Sequence, residues 1–402
     1  MDPRVIADVA SKLKHRRSDL MAAYGYAGVQ TRVLGALDEL AYQWKDPRYP
    51  VRIRAESAPG RWPYSMVKVS LQGLLASFSA DSVQKLIRSE PFEASRSPEL
   101  VGHVLADNTP LLGWVTVARA LLVGSASLVK MPTTADAQWL DYFVATLGDI
   151  APEIAGLVDS LAWRGGTASL DSELCRVCDR VAVYGDDSTV DAIIRHARSG
   201  SVVGYGHRVS GGIVMSTADP QTAAEGFAKD VLLYDQGGCL SPHTIFVEGD
   251  ERDARSFGER LATALAASEY SRIPMPPNGV RAGKVREARD MARLEEGATI
   301  ISDPSMRWTV IVLPKSMFRL SPTHGIVYVT PITQELLAGS LSPVAGKLQG
   351  FGLAGSKGSR QANLYAQLTE FGVSYICKPG LMQAPPLEWR ENGLDVLRSL
   401  IM

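Results

Sequence analysis

The 402-residue sequence holds only four cysteines, Cys175, Cys178, Cys239 and Cys377. So few cannot build a disulfide scaffold and they fit a reducing compartment, so each thiol can be asked about as a chemical group. Charge of one sign is also missing. Forty-two Lys and Arg stand against 43 Asp and Glu, a net charge of −1, which excludes attraction to nucleic acid or to an anionic membrane through bulk charge. The basic run Lys14-His15-Arg16-Arg17 reads most simply as a solvated helix face. Long apolar runs are absent: the longest, Leu111 to Val123, is interrupted by Arg119 and is too short to span a bilayer. Met1 to Tyr24 is studded with charges and lacks the apolar segment of a secretory signal. The expectation is a cytoplasmic protein that binds neither nucleic acid nor membrane.

What is present predicts a globular α/β chain. At about 150 residues per domain, the length predicts two or three domains. Up to about Arg96 apolar residues recur at helical spacing, as at Val5, Ile6, Val9 and Leu13. From about Leu100 short apolar strands alternate with helices. Strands are expected at 101–106, 126–129, 154–158, 181–184 and 202–205, and helices at 110–123, 135–147, 172–178 and 189–197. This alternation predicts a parallel sheet. A second series follows, with strands at 213–216, 244–247, 298–301, 309–313, 326–329 and 373–377 and helices at 220–234, 254–267 and 361–371. The division expected is a helical region 1–99 packed on a cofactor domain 100–211, then a catalytic domain 212–378 and a C-terminal tail 379–402.

Among candidates for chemistry, Cys239 stands out. An apolar helix (Ala223, Ala224, Phe227, Ala228, Val231) runs into Gly237-Gly238-Cys239-Leu240-Ser241-Pro242. The glycine pair predicts a tight turn that presents a thiol among backbone N–H groups, a setting that favours the nucleophilic thiolate. The pair Cys175/Cys178 has redox spacing, but it falls in a helical stretch with no second ligand pair for zinc, so packing is the expected role. Gly350-Phe351-Gly352-Leu353-Ala354-Gly355 spells a dinucleotide fingerprint, with Glu370 about 20 residues on. It comes too late in the chain to open a nucleotide domain and is expected to be a loop. Val183 to Thr189, leaving a strand and entering a helix, is the better anion site, although Asp186 and Asp187 suit a cap or a ribose hydroxyl more than a phosphate. His207 follows a strand at a sharp loop, where a lone histidine is usually structural.

Asp235-Gln236-Gly237-Gly238-Cys239-Leu240-Ser241-Pro242, together with the tail Cys377-Lys378-Pro379-Gly380-Leu381-Met382-Gln383-Ala384-Pro385-Pro386, resembles the LuxC-type acyl-thioester (fatty acyl-CoA) reductases of the aldehyde dehydrogenase superfamily. The resemblance runs from about Leu100 to the C-terminus. It implies an aldehyde dehydrogenase-like fold with a Rossmann-type cofactor domain and an α/β catalytic domain, Cys239 as nucleophile, and a homodimer. Asn108, in Ala106-Asp107-Asn108-Thr109-Pro110, stands where the superfamily has its oxyanion-binding Asn. Lys130 and Thr133, in Leu128 to Thr133, resemble the segment that meets the adenosine ribose or its 2′-phosphate. Gly185, Asp186 and Ser188 resemble the turn beside the cofactor pyrophosphate. NADPH is the cofactor implied, with NADH the alternative.

Where hydrolytic aldehyde dehydrogenases carry a Glu-Leu-Gly-Gly segment, this chain has Gly206-His207-Arg208-Val209-Ser210-Gly211-Gly212, with no carboxylate to activate water. That favours thioester chemistry, with His207 as a candidate acid/base for thiol departure. The function expected is reduction of an acyl-CoA or acyl-carrier-protein thioester to an aldehyde. Two alternatives stay open: NAD(P)+-dependent aldehyde oxidation, and a non-catalytic module that binds an acyl carrier.

Overall fold

The computed structural model describes residues 1–133, 138–273, 279–355 and 358–402. They form two compact units, Met1–His207 with Pro386–Met402, and Arg208–Pro385. The break precedes the expected boundary at 211/212 because the strand opening the second unit already starts at Val209.

The first unit begins with the helices α1 Pro3–Gln43, α2 Pro50–Ser57, α3 Tyr64–Ser77 and α4 Ala80–Ser89. Asp2 caps α1 by accepting the Arg4 N–H, Pro3 fills its first position, and Gly25 breaks it at φ 66°. The basic run on α1 is more than a solvated face. Lys14 pairs with Asp179 at 3.1 Å, and Arg16 and Arg17 donate to the carbonyls of Gly156 and Gly124. Long aliphatic stems let these cations reach over the unit while their tips find partners.

There follow β1 Leu100–Val104, α5 Leu112–Leu122, β2 Ala126–Met131, α6 Gln138–Ile150, α7 Pro152–Ala155, β3 Val158–Ala162, α8 Ala168–Val177, β4 Arg180–Tyr184, α9 Asp187–Ile194 and β5 Val202–Tyr205. The strands make a parallel sheet in the order β3-β2-β1-β4-β5. β1 and β2 are buried along their whole length, as parallel strands covered on both faces must be. Strand order reverses between β1 and β4, and such a switch point opens a crevice beyond the carboxyl ends of the strands. The strand expected at 154–158 is instead α7 followed by β3. Pro152 suits a first helical turn, and Ile154 fills the core from there. Of the helix expected at 135–147, residues 135–137 lie outside the described residues and α6 covers the rest.

Residues 386–402 return to this unit. Arg119 of α5, only 2% exposed, donates to the carbonyls of Leu387 and Trp389 at 3.0 and 2.9 Å and lies 3.8 Å from Glu391. Burial pushes the Glu391 carboxyl up to about 7 against the opposing Arg119 charge.

The second unit contains β6 Val209–Val214, α10 Pro220–Leu232, β7 Pro242–Glu248, α11 Glu251–Ala267, α12 Gly279–Arg293, β8 Thr299–Ser302, β9 Thr309–Val312, β10 Ile326–Ile332, α13 Gln334–Leu341, β11 Leu348–Ala354, α14 Gly358–Glu370 and β12 Tyr375–Cys377. Its sheet runs β12-β11-β6-β7-β10-β9-β8, parallel except for β8 against β9. The stretch 350–355, expected as a loop, falls mostly within the buried strand β11. Its glycines answer a packing need rather than a phosphate. A Cβ at position 350 would lie 2.5 Å from Leu240 Cδ2, and one at position 352 would lie 2.6 Å from the Phe227 ring.

Candidate active site

α10 buries Ala223, Ala224, Phe227, Ala228 and Val231, and the chain then leaves it through Tyr234, Asp235 and Gln236, all at positive φ (57°, 53° and 61°). The left-handed residues are these three and not the glycines that follow. Gly237 is helical (φ −80°, ψ −12°), and Gly238 provides space, since a Cβ there would lie 2.7 Å from Gln383 Oε1. A non-glycine residue held in the left-handed region costs about 1–3 kcal/mol and persists only where its surroundings over-determine it. Here they do. Gln236, 1% exposed, donates from Nε2 to the carbonyls of Pro242 and Ile326 at 2.8 and 2.7 Å. The Asp235 carboxylate lies 3.2 Å from Arg281 Nη2 and 2.6 Å from His324 Nδ1. Because a carboxylate only accepts, the His324 proton in this contact sits on Nδ1. Burial raises the Asp235 carboxyl, but the His324 hydrogen bond and the Arg281 charge outweigh it and hold the group below its ordinary value.

Cys239 lies half-buried just before the amino end of β7. Its carbonyl accepts from Ser210 Oγ at 2.7 Å, and Ser210 Oγ in turn accepts the Gly350 N–H at 2.9 Å. The Ser241 N–H donates to the Gly238 carbonyl at 2.9 Å, and Gln383 Nε2 donates to Ser241 Oγ at 3.0 Å. The segment carrying Gln383 is held by Asp230 on α10, which is 0% exposed and accepts the N–H groups of Gly380 and Met382 at 2.6 and 3.1 Å. Burial pushes the Asp230 carboxyl up to about 7, with these hydrogen bonds opposing.

Cys175 and Cys178 are buried, and burial raises both, Cys175 to about 11. Cys178 Sγ fills the space where a Cβ on Gly102 would sit, 2.9 Å away. Burial raises the half-buried Cys377 as well. Among the described residues, no cluster of three or more His, Cys, Asp or Glu is placed to hold a metal.

The remaining candidates belong to the first unit, where the topology collects them at or past the carboxyl ends of neighbouring strands on both sides of the switch point. Asn108 follows β1, half-buried, beside Asp107, which pairs with Arg61 at 3.0 Å. Lys130, near the end of β2, is 5% exposed, and its Nζ lies 5.9 Å from the Trp163 ring centroid. Burial lowers its amine, with Asp171 opposing. An ammonium in so largely buried a position suits an anionic or hydroxyl-bearing ligand. Thr133 is exposed beyond it.

After β4, Gly185 leads into α9, and Asp186 caps the helix by accepting from the Thr189 N–H and from Ser188 Oγ at 2.7 and 2.8 Å. The bonds from Thr189 and Ser188 hold the Asp186 carboxyl low. A carboxylate thus occupies the first donors of α9, a setting for a ribose hydroxyl rather than a phosphate. His207, exposed after β5, donates its backbone N–H to Asp187 Oδ1 at 2.9 Å. Sequence reasoning missed Asp230, Asp235, Ser210, Arg281 and His324, whose partners lie far away along the chain.

These two α/β units define an aldehyde dehydrogenase-like fold. Over its whole length the chain superposes on the NADP-dependent glyceraldehyde-3-phosphate dehydrogenase of Bacillus halodurans with TM-score 0.70, at 15% identity and over 89% of that protein. A glyceraldehyde-3-phosphate dehydrogenase of Methanocaldococcus jannaschii gives TM-score 0.66 at 13% identity, covering 95% of this chain and 87% of that one. Residues 29–402 match the acyl-CoA reductase (LuxC) family, and the chain belongs to it. A long-chain acyl-protein thioester reductase of Vibrio harveyi is 28% identical over 243 residues, 58% of this chain and 49% of that protein. Its counterpart in Photorhabdus laumondii is 26% identical over 220 residues, 52% of this chain and 44% of that protein. The alignments thus span about half the length of these curated relatives.

Proposed function

We propose that the chain reduces an acyl thioester to an aldehyde through a covalent intermediate on Cys239. The observation that carries this reading is the setting of Cys239: a half-buried thiol at the end of an over-determined turn, its carbonyl fixed by Ser210. Membership of the acyl-CoA reductase (LuxC) family supports it.

In this mechanism Cys239 Sγ, as thiolate, attacks the thioester carbonyl carbon and forms a new C–S bond. The oxyanion is met by the Asn108 amide and the Cys239 N–H, donors of the kind worth about 3–4 kcal/mol in the transition state of acyl transfer. The carrier C–S bond then breaks, and the departing thiolate takes a proton, for which His207 is the donor proposed. No carboxylate stands in Gly206 to Gly212 to activate water, which favours transfer of the acyl group over hydrolysis to free acid.

A nicotinamide cofactor, when bound, would supply hydride to the acyl carbon; the C–S bond to Cys239 then breaks, releasing the aldehyde and returning Cys239 as thiolate. Lys130, Thr133, Gly185, Asp186 and Ser188 are the residues proposed to hold it. The Lys130 ammonium suits the 2′-phosphate of NADPH, and the Asp186–Ser188 pair suits a ribose hydroxyl. The acyl donor proposed is acyl-CoA or an acylated protein.

The test is intact-mass and peptide spectrometry after incubation with a panel of acyl-CoAs and an acylated carrier protein, without cofactor. The result expected is one acyl adduct, on Cys239, that disappears with release of aldehyde when NADPH is added. Aldehyde formation at the wild-type rate by Cys239→Ala would overturn the assignment, and free acid formed from an aldehyde without any thiol would overturn the direction of the reaction.

A further inference from the structure

Backbone strain in this chain is gathered in one place. Among the described residues, the non-glycine positions at positive φ are Tyr234, Asp235, Gln236, Met306, Thr323, His324 and Asn392. All but Asn392 lie in three segments, far apart in sequence, that meet at the side chain of Arg281. Its guanidinium pairs with the Asp235 carboxylate, donates from Nη1 to the Met306 carbonyl at 2.8 Å, and reaches the carbonyls of Arg307 and His324 from Nη2 at 3.4 and 3.5 Å. His324 closes the ring. Its backbone N–H donates to the Asp235 carbonyl at 3.1 Å while its Nδ1 bonds the same residue's carboxylate at 2.6 Å. Gly325 follows at φ 75°, where a Cβ would strike the Arg307 carbonyl. Strain of this kind collects where a geometry is needed that the chain does not adopt alone.

The geometry in question is that of the nucleophile loop. Cys239 lies between Gln236, the last strained residue, and Pro242, whose carbonyl the Gln236 amide holds. A turn that relaxed at Asp235 would rotate this short connection as a body, with the thiol in it. We propose that Asp235, Arg281 and His324 are positioning residues: by locking three left-handed segments together they set the direction and surroundings of the Cys239 thiol. The proposal rests on Cys239 being the reacting group. Its own content is a coupling between the Asp235–Arg281–His324 cluster and the behaviour of that thiol.

The test measures the rate of Cys239 alkylation by iodoacetamide from pH 6 to 9 in the full chain, read on the Cys239 peptide by mass spectrometry. Cys377 in the same unit reports whether that unit is folded, and Cys239→Ser is the blank. His324→Asn keeps a donor near the Nδ1 position and tolerates positive φ, so it is expected to keep the wild-type rate and pH profile. His324→Val has no donor and resists positive φ, and Arg281→Lys loses the planar fork. Both are expected to slow alkylation and displace its pH profile while Cys377 labels as before, and to lower the rate of acyl transfer roughly 100-fold, as a small misplacement of a reacting group does. Wild-type rates and profiles at Cys239 in folded His324→Val and Arg281→Lys would overturn the proposal, as would a loss in His324→Asn equal to that in His324→Val. Because alkylation needs neither acyl donor nor cofactor, it separates the two readings. An unaltered acyl adduct yield in Cys239→Ser would refute the proposed reaction, whereas unaltered alkylation in the variants would refute only the positioning.

Discussion

Replacing Asp230 by Asn should make the second unit relatively more stable as the pH rises. Its carboxyl is pushed from 3.8 up to about 7 by burial on α10, against the hydrogen bonds from Gly380 and Met382. Between those values the folded protein retains a proton that the unfolded chain has released, so wild-type stability falls with rising pH by about 1.4 kcal/mol per unit. The full loss, complete above pH 7, is about 4 kcal/mol; below 3.8 both states hold the proton and nothing is lost. Asn cannot titrate. It keeps one carbonyl for the Gly380 N–H but turns an NH2 toward a second donor, a fixed penalty of about 1–3 kcal/mol. Relative to wild type, the variant should gain about 2–3 kcal/mol between pH 5 and pH 8. Amide hydrogen exchange in graded denaturant, read on peptides of α10 and β7, measures the second unit by itself. Glu391 titrates in the same range but in the first unit, so it cancels from the difference. A variant-to-wild-type difference that stays constant from pH 5 to 8, or that moves in favour of wild type, would mean that Asp230 is ionised in the fold and would refute the reasoning.

Ser210→Ala should destabilise the second unit by about 1–3 kcal/mol, because the buried Gly350 N–H loses its acceptor and the Cys239 carbonyl its donor; denaturant titration measures the first effect and single-turnover acylation the second. Arg119→Ala should lower the stability of the first unit by about 3–5 kcal/mol, since Glu391 and two carbonyls are left buried without it. Glu391→Gln placed on top should recover part of that loss, and a strictly additive double variant would argue against the coupling. Lys130→Ala should raise the KM for NADPH more than that for NADH and leave kcat near wild type; equal effects on both cofactors would place the ammonium away from a 2′-phosphate.

Much of the architecture was legible because apolar strands and amphipathic helices alternate with ordinary spacing from Leu100 onward. α12 was not, since only Val285, Ala288 and Ala292 are buried on a helix otherwise rich in charge. β11 was disguised by glycines that spell a nucleotide motif while making room for Leu240 and Phe227. At the site, Cys239 was found from its neighbours in sequence, but the turn that holds it was credited to Gly237 and Gly238. The strained residues are Tyr234, Asp235 and Gln236, and nothing local announces that Arg281 and His324 will meet them. Asp230 reads from sequence as one more polar position on an amphipathic helix. Only the packing of residues 380–382 against α10 shows its carboxylate to be interior.

The first unit is discontinuous, opened by residues 1–207 and closed by residues 386–402, with the second unit inserted between them as one uninterrupted stretch. During synthesis this imposes an order. Arg119 must wait for Leu387 and Trp389, and Glu90 for Leu397. At about 5–20 residues per second Arg119 and Glu90 therefore wait tens of seconds for these partners. In that interval the nascent chain carries a buried-type arginine and glutamate whose counterparts have yet to be made, so the first unit stays open until its closing segment arrives.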